Sequence, residues 1–435
     1  MSLTEGKLPQ NPAEPANGGP GRKRALIVSF YWPPSGGGGV QRWLKFAKLL
    51  PEHGWDPIVV TPSNPDVPVT DPSLQSEVSN HIDVWTFPIW EPSRVLRALG
   101  VGRPSSRLGS DGGRPTSLVG KLVLWVRGNL FVPDARVGWV KPTTQQLLQK
   151  LQDTPVDVIV TTGPPHSMHL IGLALKRATG LPWVADFRDP WSTMDYLDDF
   201  ALSPKTRRRI QDLEREVVQT ADRVVVTSSG ALRELGVTMD GHGVVLPNGW
   251  DRDDFPATRE ERPRNQTPVL GHFGALYGAR NPSNLWPALA NSSWSFRAGG
   301  PISSDILQNI EASGVPFEWQ GDLPHQEAIQ AMLECDALLI AHNNSASARA
   351  STPGKVFECL ATGLPLLVIG PPESDLAALC ESWGVAFFDH DDDPARILAW
   401  LKNPTPAPAQ SLKNAFERHS IATELAGVLH TLVSS

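Results

Sequence analysis

Cysteine is scarce in this chain of 435 residues: there are three, Cys335, Cys359 and Cys380. They fall in helix-patterned segments at spacings that match no metal motif. A disulfide framework and a zinc site are therefore disfavoured, and all three read as reduced core thiols of a cytoplasmic protein. A basic excess is also lacking. Lys and Arg number 39 against 46 Asp and Glu, a formal net charge of −7, which argues against nucleic acid as a partner because gripping a phosphate backbone wants a basic domain. No apolar run approaches the roughly eighteen residues of a membrane span. The opening residues are polar, rich in Pro and Gly, and not followed by the apolar stretch of a signal peptide, so 1–22 is expected to be a disordered tail.

What is present is an ordinary globular composition, 40% hydrophobic and 20% charged, over a length that suits two domains better than one core. Short β-branched runs alternate with helix-period segments from Arg24 onward, the pattern of parallel sheets wrapped by helices. A first series of strands reads at Ala25–Phe30, Pro57–Thr61, Val84–Pro88, Val156–Thr162, Trp183–Phe187, Arg223–Thr227 and Val244–Leu246. A second reads at Val269–Phe273, Ser295–Ala298, Pro316–Trp319, Ala337–Ala341, Pro365–Ile369 and Val385–Phe388. Between them Asp251–Thr267 has charge, Pro and Asn without periodicity, the natural hinge. The expectation is α/β: two Rossmann-like doubly wound domains, 23–255 and 256–407, facing across a cleft, with a last helix over Pro408–Val433 that crosses back to the first domain. Such sheets bind ligands beyond the carboxyl ends of their strands.

Several loops at those ends carry chemistry. SGGGGVQR (Ser35–Arg42) lets backbone N–H groups approach an anion at a helix start, but it lacks the dinucleotide spacing and equally fits a flexible turn. TTGPPHSMH (Thr161–His169) sets His166 near a helix cap, and a lone His is usually structural. ADFRDPW (Ala185–Trp191) brings Asp186, Arg188 and Asp189 to a strand end, where they could pair internally or face a ligand. GHFGALYGARN (Gly271–Asn281) is strand, Gly-rich loop and helix start again, with Arg280 placed to hold phosphate bidentately. FEWQGDLP (Phe317–Pro324) offers Trp319, Gln320 and Gly321 to a flat base, and Asn248 lies in LPNGWD. TPGKVFECLATGLP (Thr352–Pro365) sets Lys355 and Glu358 three apart on a first helical turn, where the unpaired N–H groups favour an anion. The bland alternative there is a solvated ion pair. Residues 94–141 are different in character, with nine Lys and Arg against two Asp, interleaved with Leu, Val and Trp. That suits an anionic lipid surface or an acidic acceptor, although a surface helix packing Leu122, Trp125 and Val126 onto the first domain is the favoured reading.

Taken in order, these motifs resemble the GT-B glycosyltransferases of family 4, the bacterial "group 1" transferases, over about Lys23–Val433. The resemblance implies a transferase of cell-surface polysaccharide or glycan biosynthesis. It would move a sugar from a nucleotide-diphosphate donor to a hydroxyl on a glycan or lipid-linked acceptor, with retention, without a metal or cofactor, in the cytoplasm or peripherally at the membrane. It implies an acceptor-binding first domain and a nucleotide-binding second domain. Glu358 matches the glutamate that holds the ribose hydroxyls; Arg280 and Lys355 fall where diphosphate-binding cations lie. Gly38 and Gly39 match the first Gly loop, and Gln320 the base-binding loop. With these, Asn248, Gly274 and Gly321 complete the donor set, and Asp186 and Arg188 the acceptor side. Asp189, His166, Lys355 and Arg280 are the catalytic candidates. Two departures stand out. The family's other glutamate, eight positions before Glu358, is Ala350 here. The His that many members carry after ADF is replaced by Arg188 and Asp189, so its role either passes to Asp189 or His166 or is absent. A non-catalytic scaffold, or another GT-B enzyme such as a nucleotide-sugar epimerase, is the alternative.

Overall fold

The structure, a computed structural model, describes residues 21–67, 69–91, 118–256 and 265–434. Thirteen strands among these residues form two sheets, each wholly parallel and wrapped by helices. The first holds β1 (Lys23–Val28), β2 (Trp55–Pro62), β3 (Asp83–Phe87), β4 (Val158–Gly163), β5 (Trp183–Phe187), β6 (Arg223–Val226) and β7 (Gly243–Val245) in the order 3-2-1-4-5-6-7. The second holds β8 (Val269–Phe273), β9 (Ser295–Gly299), β10 (Phe317–Trp319), β11 (Ala337–Ala341), β12 (Leu366–Ile369) and β13 (Ala386–Phe388) in the order 10-9-8-11-12-13. All thirteen coincide with the runs read from the sequence, because strands covered on both faces are written as continuous apolar stretches. Ala25–Val28 and Ala337–Ala341 are buried throughout.

In both sheets the strand order reverses beside the first strand, at β1/β4 and at β8/β11. Crevices open at such reversals. The loops that follow β1, β4, β5, β8 and β11 carry most of the motifs singled out above.

Two expectations need correction. The C-terminal segment is two helices, Gln410–Ala415 and Arg418–Val433, not one. The break arises because the backbone at 416–418 pairs with Trp250, whose N–H donates to Phe416 O at 3.1 Å and whose carbonyl accepts from Arg418 N at 2.9 Å. The second of these helices lies on the first domain. Ile421, Leu425 and Leu429 share a core with Trp43 and Leu49, and His430 Nε2 is 3.0 Å from His53 O. The other correction concerns the helix Leu118–Leu130: it buries Leu124, whereas Leu122 and Trp125 are exposed. Residues 94–117 and 257–264 lie outside the described residues.

The three cysteines are buried and free. Burial pushes the thiols of Cys359 and Cys380 up to about 12, so both stay protonated and inert at neutral pH.

Candidate active site

On the first domain, the ADFRDPW motif divides into residues that build and one that faces a cavity. Asp186 is fully buried and saturated: Arg42 donates to it from Nε and Nη2, Trp43 Nε1 at 2.7 Å and Thr162 Oγ1 at 2.9 Å. Burial alone would raise its carboxyl pKa, but Arg42 and the other donors outweigh that and hold it below the usual range. An acceptor-side contact is thereby ruled out for Asp186, because no lone pair is left for a substrate. Arg188 is likewise consumed, donating to the carbonyls of Gly163, Gly39 and Pro164. Its guanidinium ties the Gly-rich loop to the β4 and β5 loops. A Cβ at Gly39 would lie 2.9 Å from Arg188 Nη1 and 3.2 Å from Tyr31, so Gly39 is needed for close packing. Gly38 opens the helix Gly38–Leu49.

Asp189 and His166 are left facing space. Both line a cavity of about 250 Å³. His166 is 3% exposed, and neither ring nitrogen has a hydrogen-bond partner among the described residues. Burial, then His169 and Arg188, push its pKa well below the ordinary value, so the ring is neutral. Burial raises the Asp189 pKa, opposed by Arg188. His169 is spent on structure, bonded to Thr161 Oγ1 at 2.9 Å and stacked on Phe187 at 4.4 Å. The following loop is pinned by Glu214, which accepts from the backbone N–H of Trp191 at 2.7 Å and of Ser192 at 2.9 Å.

On the second domain, Lys355 and Glu358 lie on the first turn of the helix Lys355–Thr362. Their Nζ and Oε2 are 3.8 Å apart, too far for a hydrogen bond. Arg280 approaches from the loop after β8, held by Asn343 Oδ1 at 2.6 Å and set over the Tyr277 ring at 5.3 Å. Buried His272 feels both cations. Burial is the main reason its pKa falls to about 4, with the charges of Lys355 and Arg280 adding to it. Gly274 lies at this corner, where a Cβ would stand 3.5 Å from His272 Nε2 and 3.6 Å from Lys355 Cδ, ordinary contact distances. The 320 loop is on the same sheet's far side. Gln320 Nε2 donates to Glu318 at 2.8 Å, Gly321 has the left-handed φ of 70°, and Trp319 is half exposed with Nε1 on Gly300 O at 2.9 Å.

The domains meet around these groups. Asn248 Oδ1 accepts from Arg42 at 3.4 Å, and its side chain lies 3.6 Å from where a Cβ at Gly354 would stand. His325 bridges Glu358 Oε1 at 4.0 Å and Asp254 Oδ2 at 3.2 Å, and Asp254 continues to buried Lys45 at 3.4 Å. Neither His325 nor Lys45 sits in a Gly-rich loop, so the sequence marks them weakly; its one signal is His325 at a helix start beside a strand-end motif. Ala350 is an interdomain contact. Its carbonyl accepts from Ser228 Oγ at 2.6 Å, and a Cβ at Gly230 would come within 2.6 Å of its Cα. Asp375 crosses the same seam to Gly230 N and Arg233.

Residues 37–249 match the family described as "Glycosyl transferase 4-like domain". No curated protein sequence matches the chain. Among solved structures, sucrose-phosphate synthase from Thermosynechococcus elongatus aligns at TM-score 0.64 and 13% identity, covering 95% of this chain and 100% of that one. HepE of Anabaena, in complex with UDP and glucose, aligns at TM-score 0.55 and 16% identity over 95% and 98%. The lipopolysaccharide outer core galactosyltransferase WaaB aligns at TM-score 0.55 and 11% identity over 94% and 99%.

Proposed function

We propose, for a chain whose residues 37–249 match a glycosyl transferase 4-like domain and whose fold is GT-B, that it transfers a sugar from a nucleoside-diphosphate sugar to a hydroxyl acceptor in glycan assembly. One observation carries this reading. Lys355 and Glu358 stand 3.8 Å apart beyond the carboxyl end of the second sheet, and the charges of Lys355 and Arg280 both act on His272, which supports assigning the two cations to a diphosphate and Glu358 to a ribose. HepE, which has the same fold, is seen with UDP and glucose.

The chemistry then runs without a protein nucleophile or metal. The bond between the anomeric carbon and the β-phosphate oxygen breaks, and Lys355 and Arg280 stabilise the charge that develops on the phosphate. The acceptor oxygen bonds to the same face of that carbon, giving retention, and the leaving phosphate takes the acceptor proton. Asp189, with its raised pKa, and neutral His166 orient the acceptor hydroxyl. Interdomain contacts through Asn248, Ala350 and Asp375 hold donor and acceptor sides in register.

A thermal-shift panel of UDP, GDP, ADP and dTDP tests the donor reading. Stabilisation by at least one is expected, and stabilisation by none overturns it. Peripheral binding to anionic lipid is a second part of the proposal. It is supported by the helix Leu118–Leu130, which exposes Leu118, Leu122 and Trp125, carries Lys121 and Arg127, and has no acidic residue. Among the described residues no helix is long and apolar enough to cross a membrane. Equal recovery on neutral and anionic vesicles would remove that part.

A further inference from the structure

The cavity beside Asp189 and His166 is built differently from a sugar site. His166 and Asp189 reach it from the loops after β4 and β5, and its other wall comes from the helix Leu118–Leu130 with Phe131, the segment 194–202 and Ile210 of the helix Pro204–Thr220. That wall is largely apolar, formed by Phe131, Met194, Leu197, Phe200, Leu202 and Ile210; its one charged member is Arg127, whose guanidinium lies over the Phe200 ring at 5.4 Å. Gly128 makes it tight, since a Cβ there would lie 2.6 Å from Phe200 Cβ.

Most of the remaining polar side chains are already engaged. Asp134 accepts from Ser167 N and Oγ, both at 2.8 Å, and from Arg136 N at 2.8 Å. It thereby caps the helix Ser167–Thr179 and occupies what would otherwise be an anion site. Arg136 pairs with Glu91 at 3.1 Å and stacks over Phe30 at 5.0 Å. His166 is different: it is buried, with both nitrogens unpartnered, and it lines the cavity. Such a group calls for a ligand hydrogen bond, because leaving it unmade costs about 1–3 kcal/mol.

A sugar ring would bring several hydroxyls against the apolar wall, each costing about 1–3 kcal/mol if left unpaired. One hydroxyl on an apolar body matches both halves of the cavity. The volume, about 250 Å³, is below the roughly 300–1,000 Å³ of sites that enclose a drug-sized molecule, so it admits part of a ligand and leaves the rest outside. We infer that this cavity takes an alcohol on an apolar body as the acceptor, with its hydroxyl between His166 and Asp189. The assignment rests on the first domain being the acceptor side. Such an alcohol could be a membrane lipid or a diffusible small molecule.

The test is binding to the full-length protein without nucleotide, so that it is independent of donor binding. The protein is titrated calorimetrically with geraniol, with methyl glucoside, and with phosphatidylcholine vesicles with and without diacylglycerol. Geraniol is expected to bind more tightly than methyl glucoside. Met194→Glu, which puts a charge on the half-buried wall, weakens the binding of geraniol at least about tenfold, or about 1.4 kcal/mol, while Met194→Leu retains it. Preference for diacylglycerol vesicles over geraniol assigns the lipid source, and the reverse assigns a diffusible one. Tighter binding of methyl glucoside, no binding of either alcohol, or geraniol binding unchanged in Met194→Glu overturns the inference. A cooperative thermal melt of the same Met194→Glu protein, without nucleotide, reports its folding.

Discussion

Replacing Asp186 by Asn should damage stability and donor-site geometry together. The carboxylate is wholly buried, and its partner Arg42 is 2% exposed at 2.9 Å. Removing the negative charge strands a buried guanidinium, and breaking one half of such a pair costs about 3–5 kcal/mol. For a domain of this size each kcal/mol moves the melting temperature by roughly 2–4 °C, so a fall of about 6–20 °C is expected. Asp186 has its pKa depressed in the folded state, because Arg42, Trp43 and Thr162 together outweigh burial. Its ionisation therefore contributes stability that is present above the unfolded value near 3.8 and lost as pH falls through the folded one. The gap between wild type and Asp186→Asn should accordingly be widest near neutral pH and shrink in acid. Arg42 also donates to Pro247 O at 3.0 Å and to Asn248, so nucleotide affinity should fall even where the variant is folded. Paired melts at neutral and acid pH measure this. A loss below about 1 kcal/mol, or a gap that widens in acid, refutes the reasoning.

Lys355→Ala should weaken nucleoside-diphosphate binding roughly tenfold to hundredfold, as expected for a charge-assisted hydrogen bond to phosphate; calorimetry checks it. His325 has its pKa raised, chiefly by its hydrogen bond to Asp254, so its contribution is present below the ordinary value of 6.5 and lost as pH rises through the folded pKa. His325→Gln should flatten that part of the stability profile, measured by melts from mildly acid to alkaline pH. Gly230→Ala places a methyl against the Ala350 backbone, so it should separate the domains. Solution scattering should give a larger radius of gyration, and transfer should slow with little change in nucleotide affinity.

The fold was legible because strands buried on both faces have no choice but to be apolar, and the loops that follow them carry Gly, Pro and charge in plain view. Roles inside those loops were not legible. Asp186, Arg188 and Asp189 look equivalent as a triplet, yet the first is claimed by Arg42, 144 residues away, and the second by carbonyls of two other loops. Only Asp189 remains beside the cavity. Nor could periodicity show that the helix Leu118–Leu130 turns Leu122 and Trp125 outward, since its apolar residues nearly encircle it. The break at Phe416 depends on Trp250, a partner across the interdomain connection. Ala350 read as a missing carboxylate because one sequence cannot show that Gly230 packs against it.

The most direct test of the donor-site assignment is calorimetric titration of UDP, GDP, ADP and dTDP into wild type and Glu358→Ala. Wild type should bind at least one of the four, and Glu358→Ala should bind that nucleotide about tenfold or more weakly while remaining folded. Binding with equal affinity by the two proteins would contradict the placement of the ribose on Glu358, and the absence of binding to wild type would contradict the account as a whole.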